Sequence, residues 1–120
     1  MASKKKAVIF DFNDTLAKKS GKPKKHVLKK AIKDEGKEHV IVLSSEEHNK
    51  KNGTEEWLRG HGLGKAELDV RPTGNKEDDS REKSHELNKI SRQFDVVKAY
   101  DDKEKNVKMF KRHGIQAKEV

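Results

Sequence analysis

Four side chains in this sequence combine reactive chemistry with a shared setting. Asp11 follows the apolar run Ala7-Val8-Ile9-Phe10, and Ser44 follows Val40-Ile41-Val42-Leu43. Asp101 and Asp102 follow a third block, Phe94 to Tyr100. Carboxylates can hold a hard cation or become nucleophiles, and a serine hydroxyl can bond an anion. Loops are polar in any protein, so the weight rests on where these groups fall: each ends a short apolar block.

Those blocks read as strands that alternate with helices. Ala7 to Phe12 is short, apolar and β-rich, as a buried parallel strand should be. Asp11 to Pro23 is polar, with Gly21 and Pro23 as breakers. Val27, Leu28, Ala31 and Ile32 recur at helical spacing between Lys24 and Glu35, and Gly36 stops that helix. A second strand runs from His39 to Leu43. The next helix, capped by Ser44 or Ser45, is expected to break around Asn52-Gly53. It resumes with Trp57 and Leu58 and ends near glycines 60, 62 and 64. Leu68 to Arg71 is a third strand and Pro72 to Asp79 a loop. Ser80 to Arg92 is a helix with Leu87 and Ile90 inward. Asp95 to Tyr100 is a fourth strand. Lys103 to His113 is a helix with Val107 and Phe110 inward, and Ile115 to Val120 is an edge strand.

This order predicts an α/β fold: a three-layer sandwich around a parallel sheet of about five strands, without a cap domain. Ligands of such sheets bind outside the carboxyl ends of the strands. Asp11, Ser44, Asp101 and Asp102 would therefore meet in one crevice.

Composition narrows the setting. The 120 residues suit one domain, read as a basic tail over residues 1–6 and a folded unit over 7–120. Charged residues make up 42% against 30% hydrophobic, so the core is thin and the shell heavily charged. The net charge of +8, with ten lysines in the first thirty residues, suits an anionic partner. There is no cysteine, hence no disulfide and no thiolate zinc site. No apolar run approaches a membrane span, and the first residues lack a signal peptide's apolar stretch. The expected location is cytoplasmic.

Residues 7–16, Ala-Val-Ile-Phe-Asp-Phe-Asn-Asp-Thr-Leu, resemble the first signature of the haloacid dehalogenase (HAD) superfamily. Val40 to Ser44 is similar to its second signature. Lys83 matches the lysine of the third, and Tyr100-Asp101-Asp102 resembles the acidic fourth. The four stand in family order along nearly the whole chain. The resemblance implies a phosphatase in which Asp11 attacks phosphorus to form an acyl-phosphate. It implies a Mg²⁺ ion held by Asp11, the backbone carbonyl of Asn13, and Asp101 or Asp102. Thr15 matches the signature threonine. Ser44 would bond a phosphate oxygen, and Lys83 would neutralise phosphate and nucleophile. Asp101 and Asp102 are also placed to cap the helix after them.

A closer resemblance is to the 3′-phosphatase domain of bacteriophage-type polynucleotide kinase/phosphatase, over roughly residues 40 to 116. It is carried by Trp57-Leu58, by Arg71-Pro72-x-Gly74, by Asp79-x-x-x-Lys83, and by the run from Asp101 to Gly114. It implies removal of a 3′-terminal phosphate from DNA or RNA, with Asp79 orienting Lys83. Lys22 matches a basic position after the first signature. Ser44-Ser45-Glu46 stands where the family reads Ser-Gly-Arg, so another cation, Lys50, Lys51 or Arg71, would have to serve the phosphate. An open site suits a polymer end. A nucleotide or other small phosphate ester is the alternative substrate, and a non-catalytic module that binds phosphate ends is a third reading.

Asn13 departs from the pattern. The family has aspartate there, as acid for the leaving group and base for water. An amide does neither, so slow or arrested turnover is expected, whether the residue was substituted or is natural.

Other features carry less. Gly60 to Ala66 fails the spacing of a phosphate-binding loop, because Ala66 follows Lys65 where that loop needs Ser or Thr. The six histidines have no zinc-like spacing. Trp57 is read as core rather than as a base-stacking residue.

Overall fold

The computed structural model describes residues 4–44, 51–64, 69–72 and 79–120, except for the side chains of Lys51, Pro72 and Asp79. Within them five strands and four helices alternate. The strands are β1 (Lys5–Phe10), β2 (His39–Ser44), β3 (Asp69–Pro72), β4 (Phe94–Asp101) and β5 (Gln116–Glu119). The helices are α1 (Lys25–Glu35), α2 (Lys51–Gly60), α3 (Asp79–Gln93) and α4 (Glu104–Arg112).

Every strand pairing is parallel, in the order β3-β2-β1-β4-β5. The first strand is therefore central. The chain winds outward through β2 and β3, then returns to the other side of β1 as β4. That reversal makes the carboxyl ends of β1 and β4 the switch point, where open α/β sheets bind ligands.

The side-chain alternation of β1 explains the three layers. Val8 and Phe10 face one way, with Val40, Val42 and Val70, and pack on Val27, Leu28 and Ala31 of α1 and Leu58 of α2. Ala7 and Ile9 face the other way, with Ile41 and Leu43, and pack on Leu87 and Ile90 of α3 and Met109 and Phe110 of α4. All four β1 residues are fully buried. A large side chain such as Phe10 contributes about 1.5–3 kcal/mol when removed from water.

Two expectations change here. β1 starts at Lys5, so Lys5 and Lys6 are not tail; they pair with Phe94 and Asp95 of β4. β1 also stops at Phe10, because the amides of Leu16 and Ala17 turn back to the Phe12 carbonyl, each at 3.0 Å. α2 shows a third change, running unbroken through Asn52 and Gly53. Thr54 and Leu58, one turn apart, are both buried, and that burial outweighs the roughly 1 kcal/mol cost of a helical glycine. No described helix is long and apolar enough to cross a membrane.

Candidate active site

α3 places Lys83, Leu87 and Ile90 on one face, at i, i+4 and i+7. Its apolar stripe thus ends in a lysine, which is buried against the sheet with 1% exposure. Lys83 Nζ donates to Asp11 Oδ1 at 2.8 Å and to Asp101 Oδ2 at 2.9 Å. One ammonium therefore ties the ends of β1 and β4 together. The backbone does the same, since the Asp11 amide donates to the Tyr100 carbonyl at 2.9 Å.

Asp101 is bonded on both oxygens. Its Oδ1 accepts the Lys103 amide at 3.0 Å, and its Oδ2 accepts the Asn106 side-chain amide at 3.2 Å. Asp101 therefore anchors the start of α4 from ahead of the helix, whose cap position is Lys103. The Thr15 hydroxyl lies 3.1 Å from Asp11 Oδ2 and 3.4 Å from Asp102 Oδ1. Thr15 reaches back because the segment after β1 turns tightly, with Asp14 in the left-handed region at φ 61°. Asp tolerates that conformation better than most residues.

Burial raises the Asp11 carboxyl from its ordinary 3.8 to about 8; Lys83 opposes the rise and Asp101 adds to it. Oxygens of Asp11, Asp101 and Asp102 lie within 4.8 Å of one another. Lys83 meets two of these three carboxyl groups, so ionising Asp11 would leave more negative charge than the one ammonium offsets. Their donor set, all hard oxygen, fits a cation such as Mg²⁺.

Asp11 opens into a cavity of about 440 Å³ whose wall includes Asn13, Lys18, Lys19, Trp57 and Lys103. A hairpin forms one side. Lys18 N–H donates to the Lys22 carbonyl at 2.8 Å, and Gly21 N–H donates to Lys18 at 2.9 Å. Gly21 has φ +85°, which a residue with a side chain rarely adopts. Trp57 Nε1 donates to the Gly21 carbonyl at 2.8 Å, pinning the hairpin tip to α2. The indole meets Phe12 edge-on at 5.1 Å and stacks on His61 at 3.9 Å. Trp57 thus packs against the core and also walls the cavity.

The structure brings Asp11, Asn13, Thr15, Lys83, Asp101 and Asp102 to one place. Ser44 is buried at the end of β2. Lys22 is exposed and is not among the described residues lining the cavity; its neighbours Lys18 and Lys19 are. Arg71 is committed elsewhere, bonding Asp69 at 2.9 Å, Glu86 at 3.3 Å and Gln93 at 3.2 Å. Burial would lower its pKa, but Asp69 and Glu86 hold it above the ordinary value. Asp79 and Lys51 open α3 and α2, with side chains outside the description, and Ser45 and Lys50 lie outside the described residues altogether. Asn106, Lys18, Lys19 and Lys103 were not singled out from the sequence. A lysine pair before Ser-Gly is a weak signal for a hairpin tip, and Asn106 offers none without the fold.

A doubly wound sheet whose switch point carries a buried aspartate, a lysine from a following helix and an acidic pair defines a HAD-type phosphatase domain. The chain belongs to the family of the polynucleotide kinase PNKP phosphatase domain, whose model matches residues 5–120. No curated protein matches it. Two solved structures share the fold. One, described as the structure of the Pnkp1/Rnl/Hen1 RNA repair complex, has a chain with TM-score 0.82 and 24% identity; it covers 100% of this chain and 43% of its own. The second, described as the structure of the Pnkp1/Rnl/Hen1 complex, has TM-score 0.82, 24% identity and coverage of 100% and 47%. This chain therefore spans less than half the length of those proteins.

Proposed function

We propose that this domain is a Mg²⁺-dependent phosphomonoesterase that removes the 3′-terminal phosphate of a polynucleotide through an aspartyl-phosphate on Asp11, with turnover held back by Asn13. The observation that carries this reading is the Asp11 carboxylate, fixed by Lys83 and Thr15 at the floor of a cavity walled by lysines. Family membership and the RNA repair complex among its structural neighbours agree with a nucleic-acid end as substrate.

Asp11, Asp102 and the Asn13 carbonyl, with Asp101 beside them, would hold the ion. Its chemistry would be to offset the charge of phosphate against carboxylate. An Asp11 oxygen attacks phosphorus, and the bond from phosphorus to the 3′ oxygen breaks. Lys83 compensates the charge gathering between Asp11 and Asp101, and Ser44 bonds a phosphate oxygen. The departing 3′ oxygen needs a proton, and the water that later attacks the acyl-phosphate must lose one. Asn13 can neither give nor take it, so solvent must serve and both steps slow.

The Asn13→Asp chain should release phosphate from a 3′-phosphorylated oligonucleotide roughly a hundred- to ten-thousandfold faster than the chain as it stands. No gain would sink the mechanism. Faster release from a free nucleoside 3′-phosphate would move the assignment to a small-molecule phosphatase. Asn13 itself favours one other reading, a module that binds phosphate ends without turnover; Mg²⁺-dependent binding with no phosphate release in either form would establish it.

A further inference from the structure

Between α3 and α4 lies a second cavity, a groove of about 370 Å³ on the far side of the Lys83 helix. Arg81, Ser84 and His85 line it from α3, and Lys105, Arg112 and His113 from α4. Both sets follow helical spacing, i, i+3, i+4 on α3 and i, i+7, i+8 on α4, so each is one stripe facing the other. Ser84 Oγ and His113 Nε2 approach to 3.0 Å across it. Arg81, Lys105, Arg112 and His113 are exposed.

The charge of this groove is one-sided. No acidic side chain is among its described lining. Two acidic residues of the same helices pair with cations outside the groove's lining: Glu86 with Arg71 and Lys89, and Glu104 with Lys108. A cationic trough with no compensating carboxylate among the described residues of its lining suits an anion from outside. The trough is also extended, since Lys105 and Arg112 lie roughly 10 Å apart along the helix. That is more than one phosphate can span, because phosphates along a strand repeat every few ångströms.

Its position ties it to the catalytic cavity. Arg81 is two residues from Lys83, and Lys105 adjoins Asn106; Lys83 and Asn106 both hold Asp101. Lys103 lines the catalytic cavity while Lys105, two residues on, lines the groove.

We propose that the α3–α4 groove docks the sugar-phosphate backbone of a polynucleotide strand whose 3′ end enters the catalytic cavity, an inference that rests on the function proposed above. No Phe, Tyr or Trp is among the groove's described lining, so it offers bases no large stacking platform. Recognition is of phosphates, without sequence preference and sensitive to salt. The groove would thereby separate a polymer from a mononucleotide carrying the same 3′-phosphate.

The chain as it stands allows a binding measurement, because Asn13 limits turnover. Fluorescence anisotropy with Mg²⁺ compares a 3′-phosphorylated single-stranded oligonucleotide of about a dozen residues with a nucleoside 3′-phosphate as competitor. A triple variant, Arg81→Ala, Lys105→Ala and Arg112→Ala, is set against a charge-matched control, Lys25→Ala, Lys29→Ala and Lys33→Ala on α1. The groove variant should bind the oligonucleotide at least about tenfold more weakly, with a salt slope shallower by about 2, since each lost phosphate contact on a single strand removes about 0.7. Its affinity for the nucleoside 3′-phosphate should stay unchanged, which also shows that the variant is folded. Equal losses in the two variants, or none in the groove variant, would overturn the docking site while leaving the catalytic reading intact. Failure of the unaltered chain to bind either ligand would overturn both.

Discussion

Two clusters of cation and carboxylate occupy this small sheet, and they behave oppositely. At the carboxyl end of β1 and β4, Lys83 pairs with Asp11 and Asp101, Asp102 lies beside them, and both Lys83 and Asp101 are 1% exposed. At β3, Arg71 meets Asp69 and Glu86 with a side-chain exposure of 20%, and Lys89 adds a second cation beside Glu86. The second cluster is balanced and partly exposed; the first is more deeply buried, opens to a cavity, and has more carboxyl groups than its one lysine can offset, a proton on Asp11 relieving part of the surplus. Buried excess charge is costly, and folds retain it where it performs chemistry. The contrast separates a site from an ordinary ion-pair network without reference to any motif.

Removing the cation from each cluster is the sharpest way to break that contrast. Lys83→Met should leave Asp11 and Asp101 facing each other without the cation between them and lower stability by about 3–5 kcal/mol near neutral pH, read from urea denaturation without divalent ions. A loss below 1 kcal/mol would mean that Lys83 contributes little to holding the buried carboxyls together and that the contrast is overstated.

Next in size is the response to pH. Folded Asp11 keeps its proton up to about 8, whereas an unfolded aspartate releases it near 3.8. Between those values the folded state binds the extra proton, so stability is full below the lower value and falls as pH rises towards the upper. The metal-free chain should lose a few kcal/mol across that window. Mg²⁺ favours the ionised carboxylate and should flatten the fall. Denaturation midpoints taken in EDTA and in Mg²⁺ at both ends of the window check this; identical curves would show that the aspartates hold no ion.

The smallest effect belongs to the other cluster. Arg71→Met should cost only about 1 kcal/mol and leave Mg²⁺ stabilisation untouched, because partly exposed pairs contribute little. A large loss of phosphatase activity in the Asn13→Asp background would instead place Arg71 at the substrate.

Much of the architecture could be read from residue order. β1, β2 and β4 are the dense apolar blocks, and their alternation with amphipathic segments is enough to imply a parallel sheet. The grouping of Asp11 with Asp101 and Asp102 follows from strand ends meeting at one edge. What could not be read depends on contacts between distant residues. Lys5 and Lys6 are charged, so only pairing with β4 makes them strand. Gly53 looks like a breaker until the burial of Thr54 and Leu58 is known. The hairpin turns at Gly21, which brings Lys18 and Lys19 rather than Lys22 to the cavity, and the Trp57 bond that holds it spans 36 residues. Arg71 looks available because two of its three partners, Glu86 and Gln93, lie on α3. One clue was legible in principle: Lys83 extends the apolar stripe of Leu87 and Ile90, and a lysine on a core-facing stripe must have buried anions to meet.

The central place of β1 has a bearing on how this domain is made. Residues 5–10 leave the ribosome before the rest of the sheet, yet one of their two edges is satisfied only by β4, some ninety residues later. Through that interval a bare apolar edge is open to the same strand on a neighbouring nascent chain. Lys4, Lys5 and Lys6, directly ahead of Ala7-Val8-Ile9-Phe10, are well placed as gatekeepers against such stacking, since like charges in register repel.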